Sequence, residues 1–274
     1  NKKIMKIIEI MQNHLTQEEQ IELVLSKNIK GLSFFLQSCV DFSTFKFTAE
    51  LVDRIDFHEI FASKLSFGKN VLQYVMRNGI PEAFEFYFKK LEESSLDTKE
   101  FLLYKTEENH NILHYSAGKK NSFPRVFELT LSACNGKEEI ESFLCRLIFD
   151  DPDLVLVVAR ESESIENLIL LFEKLSEIFG FEFMSNIFKD NNFKRARFLI
   201  IVPQIKNHPL NFITYVWNTL EKYLTTEELL EFFKANDEHG HNLLFASAMN
   251  QKSTDNFEYF LTKVEELFAS KKDL

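Results

Sequence analysis

Cysteine, proline, glycine and tryptophan are all scarce in this chain of 274 residues, which holds 3 Cys, 5 Pro, 7 Gly and 1 Trp. Cys39, Cys134 and Cys145 lie far apart and lack metal-ligand spacing, so they indicate neither a disulfide framework nor a zinc cluster. A reducing, cytoplasmic compartment is the simpler expectation. So little Gly and Pro argues against a collagenous, disordered or loop-rich all-β chain. The longest apolar runs, Phe198 to Pro203 and Leu154 to Ala159, fall far short of the ~20 residues that span a bilayer. The chain opens without a signal-peptide pattern, and an opening on Asn1 in place of Met fits a processed or trimmed chain.

Phenylalanine is abundant, at 30 residues in a chain that is 45% hydrophobic and 27% charged. The length allows one or two domains with a core of ample size. Forty-two acidic against 32 basic residues give a formal charge of -10, which opposes general attraction to a phosphate backbone but leaves room for a local basic patch.

One motif recurs. Asn111-Ile112-Leu113-His114-Tyr115-Ser116-Ala117 matches Asn242-Leu243-Leu244-Phe245-Ala246-Ser247-Ala248 in its order of Asn, two aliphatics, an aromatic or His, and small residues. Related segments open at Asn70, Asp153 and Arg197, so five anchors follow one another at spacings of 41, 42, 44 and 45 residues. Such periods mark stacked helical arrays. Positions downstream keep the same phase, as apolar pairs Val126 and Leu129, Leu168 and Leu171, Phe212 and Tyr215, Phe257 and Phe260, while Phe84 and Tyr87 of the first unit are shifted by one residue. A third apolar stretch follows, at Glu139 to Phe149, Phe181 to Phe188 and Glu227 to Phe233.

Boundary signals agree with this division. Ser95 or Asp97, Thr225 or Thr226, and Asp255 have the chemistry of helix starts, while Pro81 and Pro124 suit the first turn of a second helix. Each unit therefore reads as a short inner helix, a longer outer helix and a third short helix or turn, in an all-α chain. Residues 1–60 fit less well and read as a helical cap or degenerate unit, with Ile4, Ile7, Ile8 and Met11 as an apolar stripe and Asn28 one period before Asn70. Residues 61–274 form the array. Small residues at Ser116, Ala117, Ala159, Ser247 and Ala248 should let inner helices approach, so Leu at Ala117 or Ala248 should cost about 1 to 3 kcal/mol by overpacking. Ala at Leu113 or Leu244 should cost about 2 to 5 kcal/mol.

Gly240-His241-Asn242-Leu243-Leu244-Phe245-Ala246-Ser247-Ala248, preceded by Asp237, resembles the opening of an ankyrin repeat, where Asp, Gly, Thr-Pro-Leu-His and Ala-Ala appear in order. His114 stands at the family's His position, and Gly68 precedes Asn70 as Gly240 precedes Asn242. The likeness runs from about Leu65 to Leu267, with Asn111 and Asn242 in place of Thr, and Ile112 and Leu243 in place of Pro. Ordinary ankyrin units have about 33 residues, so an extra short helix per unit would absorb the surplus here. The period by itself suits a HEAT-like or other α-solenoid of 40 to 47 residues, and that reading stays open. The resemblance implies a protein-binding solenoid, and such degenerate arrays occur in effectors that intracellular bacteria place in the host cytoplasm.

The residues that carry chemistry are few. His110 and His114 have i, i+4 spacing, but Asn111 occupies the place where a zincin helix needs Glu, so a structural role for His114 in its turn is expected. Asp237, His239 and His241 read as loop polarity, and Cys134 and Cys145 as small apolar residues. Gly68-Lys69, Gly118-Lys119-Lys120 and Gly136-Lys137 lack the rest of a phosphate loop, though Lys119 and Lys120 could meet an acidic partner. No cofactor is indicated. Lys189, Lys194, Arg195, Arg197 and Lys206 form the densest basic patch, suited more to an acidic protein or a peripheral anionic lipid than to nucleic acid. Tyr74 and Tyr115 occupy equivalent positions, and with Gln73, Arg77, His110 and Arg160 they define an expected partner-binding strip. The function that follows is a non-enzymatic protein-interaction scaffold. An enzyme with a cryptic site on an α-solenoid and an array that positions another domain are the alternatives.

Overall fold

The computed structural model describes residues 2–29, 31–53, 55–63, 65, 68–149, 153–161, 165–189, 210–236, 240–249 and 254–272. Among them the chain is all-α, with 17 helices and one isolated antiparallel bridge between Lys27 and Ser33. No helix among the described residues is long and apolar enough to cross a membrane. Backbone contacts divide the chain into two compact units, Asn1–Ser116 with Asn121–Ile140, and Ala117–Lys120 with Glu141–Leu274.

The first unit begins with α1 (Lys2–His14) and α2 (Gln17–Leu25). α1 buries Ile8 and Met11 but leaves Ile7 47% exposed, so the apolar stripe expected there is narrower than its spacing suggested. Thr16 and Glu19 close a reciprocal capping box at the start of α2. Next come α3 (Phe34–Ser38), α4 (Phe42–Val52) and α5 (His58–Ala62), then α6 (Val71–Asn78), α7 (Pro81–Glu93) and α8 (Thr98–Leu103), then α9 (Ile112–Ser116) and α10 (Phe123–Ser132). Pro81 and Pro124 lie in the first turns of α7 and α10, where a missing N–H leaves no bond unmade. α6 packs on α7 and on α9, and α10 on α8 and α9.

One joint opens α3, α6 and α9 alike. Five residues before each cap, a backbone N–H donates to the carbonyl just before the cap: Asn28 to Leu32 at 3.0 Å, Leu65 to Lys69 at 3.0 Å and Thr106 to His110 at 2.8 Å. The residue two before the cap donates back to that first residue: Gly31 to Asn28, Gly68 to Leu65 and Asn109 to Thr106, at 2.9, 3.1 and 2.9 Å. This is a three-residue hairpin loop that ends in the left-handed region, with φ of +75° at Gly31, +68° at Gly68 and +59° at Asn109. Gly, and after it Asn, tolerates that region at least strain. The cap side chain then accepts from the helix: Ser33 from the N–H of Leu36, Asn70 from Gln73, Asn111 from Leu113 and His114. The joint nearest the start is thus at Ser33, and Asn28, one period before Asn70, lies at the start of its turn.

The core of this unit is aromatic. Phe35 stacks on Tyr87 at 5.2 Å between centroids and meets Phe57 edge-on at 6.0 Å, and Phe45 meets Phe86 edge-on at 5.5 Å. Lys90 closes the cluster from the solvent side. Its Nζ lies 5.6 Å from the centre of the Phe57 ring, 5.7 Å from that of Phe86 and 2.9 Å from the Asp53 carboxylate, which joins the end of α4 to α7. Burial pulls the Lys90 ammonium down, but its bonds to Asp53 and Glu93 outweigh that and raise it above the ordinary lysine value.

α11 (Lys137–Phe149) runs from the first unit into the second, which continues with α12 (Leu154–Glu161) and α13 (Glu166–Lys189). α13 breaks at Gly180, where φ is +78°. The expected outer helix and third stretch are therefore the two halves of α13, separated by a backbone conformation that favours glycine. The last helices are α14 (Leu210–Tyr223), α15 (Thr226–Lys234), α16 (Leu243–Ala248) and α17 (Asp255–Lys272). Trp217 is fully buried, its indole N–H donates to Glu221 at 2.6 Å, and its ring packs on Phe233 and Phe260. Asp153 caps α12 through the N–H of Val155, and Asn242 caps α16 through that of Phe245. Gly240, two residues before Asn242, again has a positive φ, +77°. The Arg197 anchor lies outside the described residues.

Ser116, Ala117, Ala159 and Ser247 are buried, but Ala248 is exposed. Overpacking therefore applies at Ala117 and not at Ala248, because no described neighbour covers that side of α16.

Tyr87 is completely buried, and among the described residues its hydroxyl has no hydrogen-bond partner. Burial, with Cys39 and Tyr74 nearby, pushes its pKa well above the ordinary tyrosine value. A buried hydroxyl without a partner destabilises by about 1 to 3 kcal/mol. Tyr87→Phe should therefore leave stability unchanged or raise it by about 1 kcal/mol in urea denaturation. A clear loss would mean that the hydroxyl is bonded.

Candidate functional site

The residues of the expected strip separate into three groups. Gln73 belongs to the scaffold. It is fully buried, its Oε1 accepts from the backbone N–H of Asn70 at 3.0 Å, and its Nε2 donates to the Tyr104 carbonyl at 2.9 Å. Asn70 also donates from its side chain to the Phe101 carbonyl at 2.9 Å. The two amides thus cap α6 and hold carbonyls at the end of α8, which corrects the reading of Gln73 as a partner contact. His114 is the corresponding residue of the next joint. It is buried, with Nδ1 3.1 Å from the backbone N of Asn111 and 2.7 Å from its Oδ1, as the structural reading expects.

Arg77, His110 and Tyr115 do come together. His110 stacks on Tyr115 with centroids 5.5 Å apart and planes 25° from parallel. The Arg77 guanidinium carbon lies 5.7 Å from the centre of the same ring, and so does the Nζ of Lys69. Glu108 reaches to 3.7 Å from His110 Nδ1. Tyr115 is half-buried, and burial raises its phenol above the ordinary value despite the nearby Thr106 and Arg77. Tyr74 is half-buried on α6, its phenol likewise raised by burial and then by Cys39. Lys69 is not legible as a member of this group from the sequence, where Gly68-Lys69 resembles only a fragment of a phosphate loop. Its place immediately before a cap, which His110 also occupies, was the available signal.

Lys119, Lys120 and Arg160 belong to the second compact unit. Lys120 is ion-paired to Glu166 at 2.9 Å and Arg160 to Glu161 at 2.8 Å, so both charges have carboxylates of their own. Lys119 is half-buried. In the expected basic patch, Lys189 pairs with Glu228 at 3.0 Å. The Glu228 carboxyl is held below its ordinary value by the backbone N–H of Thr225 and by Lys189. Lys194, Arg195, Arg197 and Lys206 lie outside the described residues, as do Asp237 and His239.

Cys39 is buried, while Cys134 and Cys145 are half-buried. Burial, with Glu141 nearby, raises the Cys145 thiol, which disfavours the reactive thiolate. Among the described residues no group of three or more His, Cys, Asp or Glu side chains is placed to hold a metal ion. An open cleft of 220 Å³ lies beside the Asn70 joint, lined by Phe61, Lys69, Glu100, Phe101 and Tyr104 among others. No protein-family model matches this chain, and no curated protein matches it at a significant level.

These placements separate structural from surface residues. Gln73→Ala should destabilise the chain by about 1 to 3 kcal/mol, because it leaves buried backbone groups unsatisfied. Arg77→Gln, on an exposed side chain, should stay within about 0.5 kcal/mol of wild type. Urea titration of the two variants checks this, and equal losses would contradict the division.

Proposed function

We propose that this protein is a non-enzymatic protein-interaction scaffold, an ankyrin-like helical-repeat array whose units carry an additional short helix. The observation that supports it best is the joint at Ser33, Asn70 and Asn111. The same two backbone bonds, the same left-handed residue and the same side-chain cap recur there, in sequence with no two turns alike. A recurrent joint gives successive units a common orientation, and short helices opened in this way gain a core only from their neighbours. The polar residues at these joints are engaged in holding them together, which leaves binding to side chains further along each inner helix. A preformed surface of this kind lowers the ordering cost of association. On this reading the partner is a cellular or host protein, met over several units.

Capture from lysate on the folded chain, followed by hydrogen exchange of the complex with the recovered protein, tests the proposal. The expected result is a discrete protein whose footprint covers residues of at least two joints and the inner helices that follow them. If the chain retains no protein and instead converts a small molecule from a metabolite extract, the enzyme reading replaces this one.

A further inference from the structure

Lys90 and Lys99, cations of the same compact unit as Arg77, each hold a carboxylate at 2.9 and 2.8 Å. Arg77 is exposed in the last turn of α6, and among the described residues no carboxylate lies within ion-pair distance of it. Its guanidinium is held over the Tyr115 ring, 5.7 Å from the ring centre. Because Arg77 is exposed, its guanidinium offers N–H donors to an incoming planar anion.

A second cation lies against the same ring. Lys69 is only 6% exposed, and its Nζ is also 5.7 Å from the ring centre. Burial and then Arg77 lower its pKa, while Glu108 acts in the opposite sense. The two positive groups therefore disfavour each other, and a negative group arriving at Arg77 relieves that repulsion while it gains charge-assisted bonds. Tyr74, half-buried three residues before Arg77 on α6, adds an aromatic surface to the same helix.

We propose that Arg77, positioned by Tyr115 and flanked by Lys69, is the receptor for a side-chain carboxylate in an acidic peptide segment of a partner protein. This rests on the scaffold reading and supplies it with a partner chemistry. One carboxylate charge matches one exposed guanidinium, since Lys69 beside it is only 6% exposed. The planar fork of Arg also matches a carboxylate in two parallel bonds.

The test is fluorescence anisotropy of a labelled pentaglutamate peptide with the full chain at low salt, against pentaglutamine, inorganic phosphate and phosphatidylserine–phosphatidylcholine vesicles. Saturable binding of pentaglutamate alone is expected. Arg77→Gln should weaken it about tenfold or more, as loss of a charge-assisted pair implies, with the melting temperature unchanged. Arg77→Lys, which keeps the charge but not the fork, should recover only part of the affinity. Equal affinity in wild type and Arg77→Gln overturns the proposal. So does Arg77-dependent binding of phosphate or vesicles with none of pentaglutamate. Lysate capture separates the two readings: a protein retained equally by wild type and Arg77→Gln removes this site and leaves the scaffold standing. Arg77-dependent pentaglutamate binding by a chain that captures no protein supports the site and counts against the scaffold.

Discussion

The structure depends on how the first turns of its short helices satisfy their backbone N–H groups. A helix of five or eight residues, such as α9 or α6, has a large fraction of its peptide groups at its ends, so an uncapped start would cancel much of what its burial contributes. Ser33, Asn70, Asn111, Asp153 and Asn242 each bring a side-chain oxygen to that position. The residue two before Ser33, Asn70, Asn111 and Asn242 takes a positive φ, which turns the chain into the cap. At Asn70 the joint extends further, because Asn70 and Gln73 also bind carbonyls at the end of α8. α6 and the end of α8 are then fixed by the same two amides.

This constraint explains why several chemically suggestive residues are structural. Gln73 and His114 are buried polar side chains engaged at helix starts, and Trp217 is a core residue whose one donor is satisfied by Glu221. The aromatic cluster of the first unit, with Phe35 and Tyr87 at its centre and Lys90 across its edge, supplies apolar burial that these short helices cannot provide singly. What remains on the surface near the joints is a smaller group, in which Arg77 and Tyr115 are the most distinctive pair.

Much of the helical organisation was legible from local chemistry. Asn70, Asn111, Asp153 and Asn242 stood out as anchors because caps are short polar residues at a fixed offset from apolar positions, and the structure places each of them at a helix start. Pro81 and Pro124 marked helix first turns for an equally local reason. The joint at Ser33 was missed because stepping by a constant period reached Asn28, whereas the interval from Ser33 to Asn70 is shorter than the later ones. Side-chain fate was harder to read. Gln73 and Tyr74 are neighbours in the sequence, yet one turns into the cap and the other toward the surface. Nor did the sequence show that Lys120 and Arg160 have carboxylates beside them, since Lys120 pairs with Glu166 at the start of α13, far along the chain.

Asn109 occupies the same left-handed position as Gly31 and Gly68, and this can be measured directly. Urea denaturation of Asn109→Gly and Asn109→Val isolates that position, because Asn109 is exposed and its side chain is not part of the cap. The glycine variant should match or exceed wild type, and the valine variant should lose about 1 to 2 kcal/mol, the cost of forcing a branched side chain to positive φ. A valine variant as stable as wild type would mean that Asn109 does not hold that conformation, and the equivalence of the joints would fail with it.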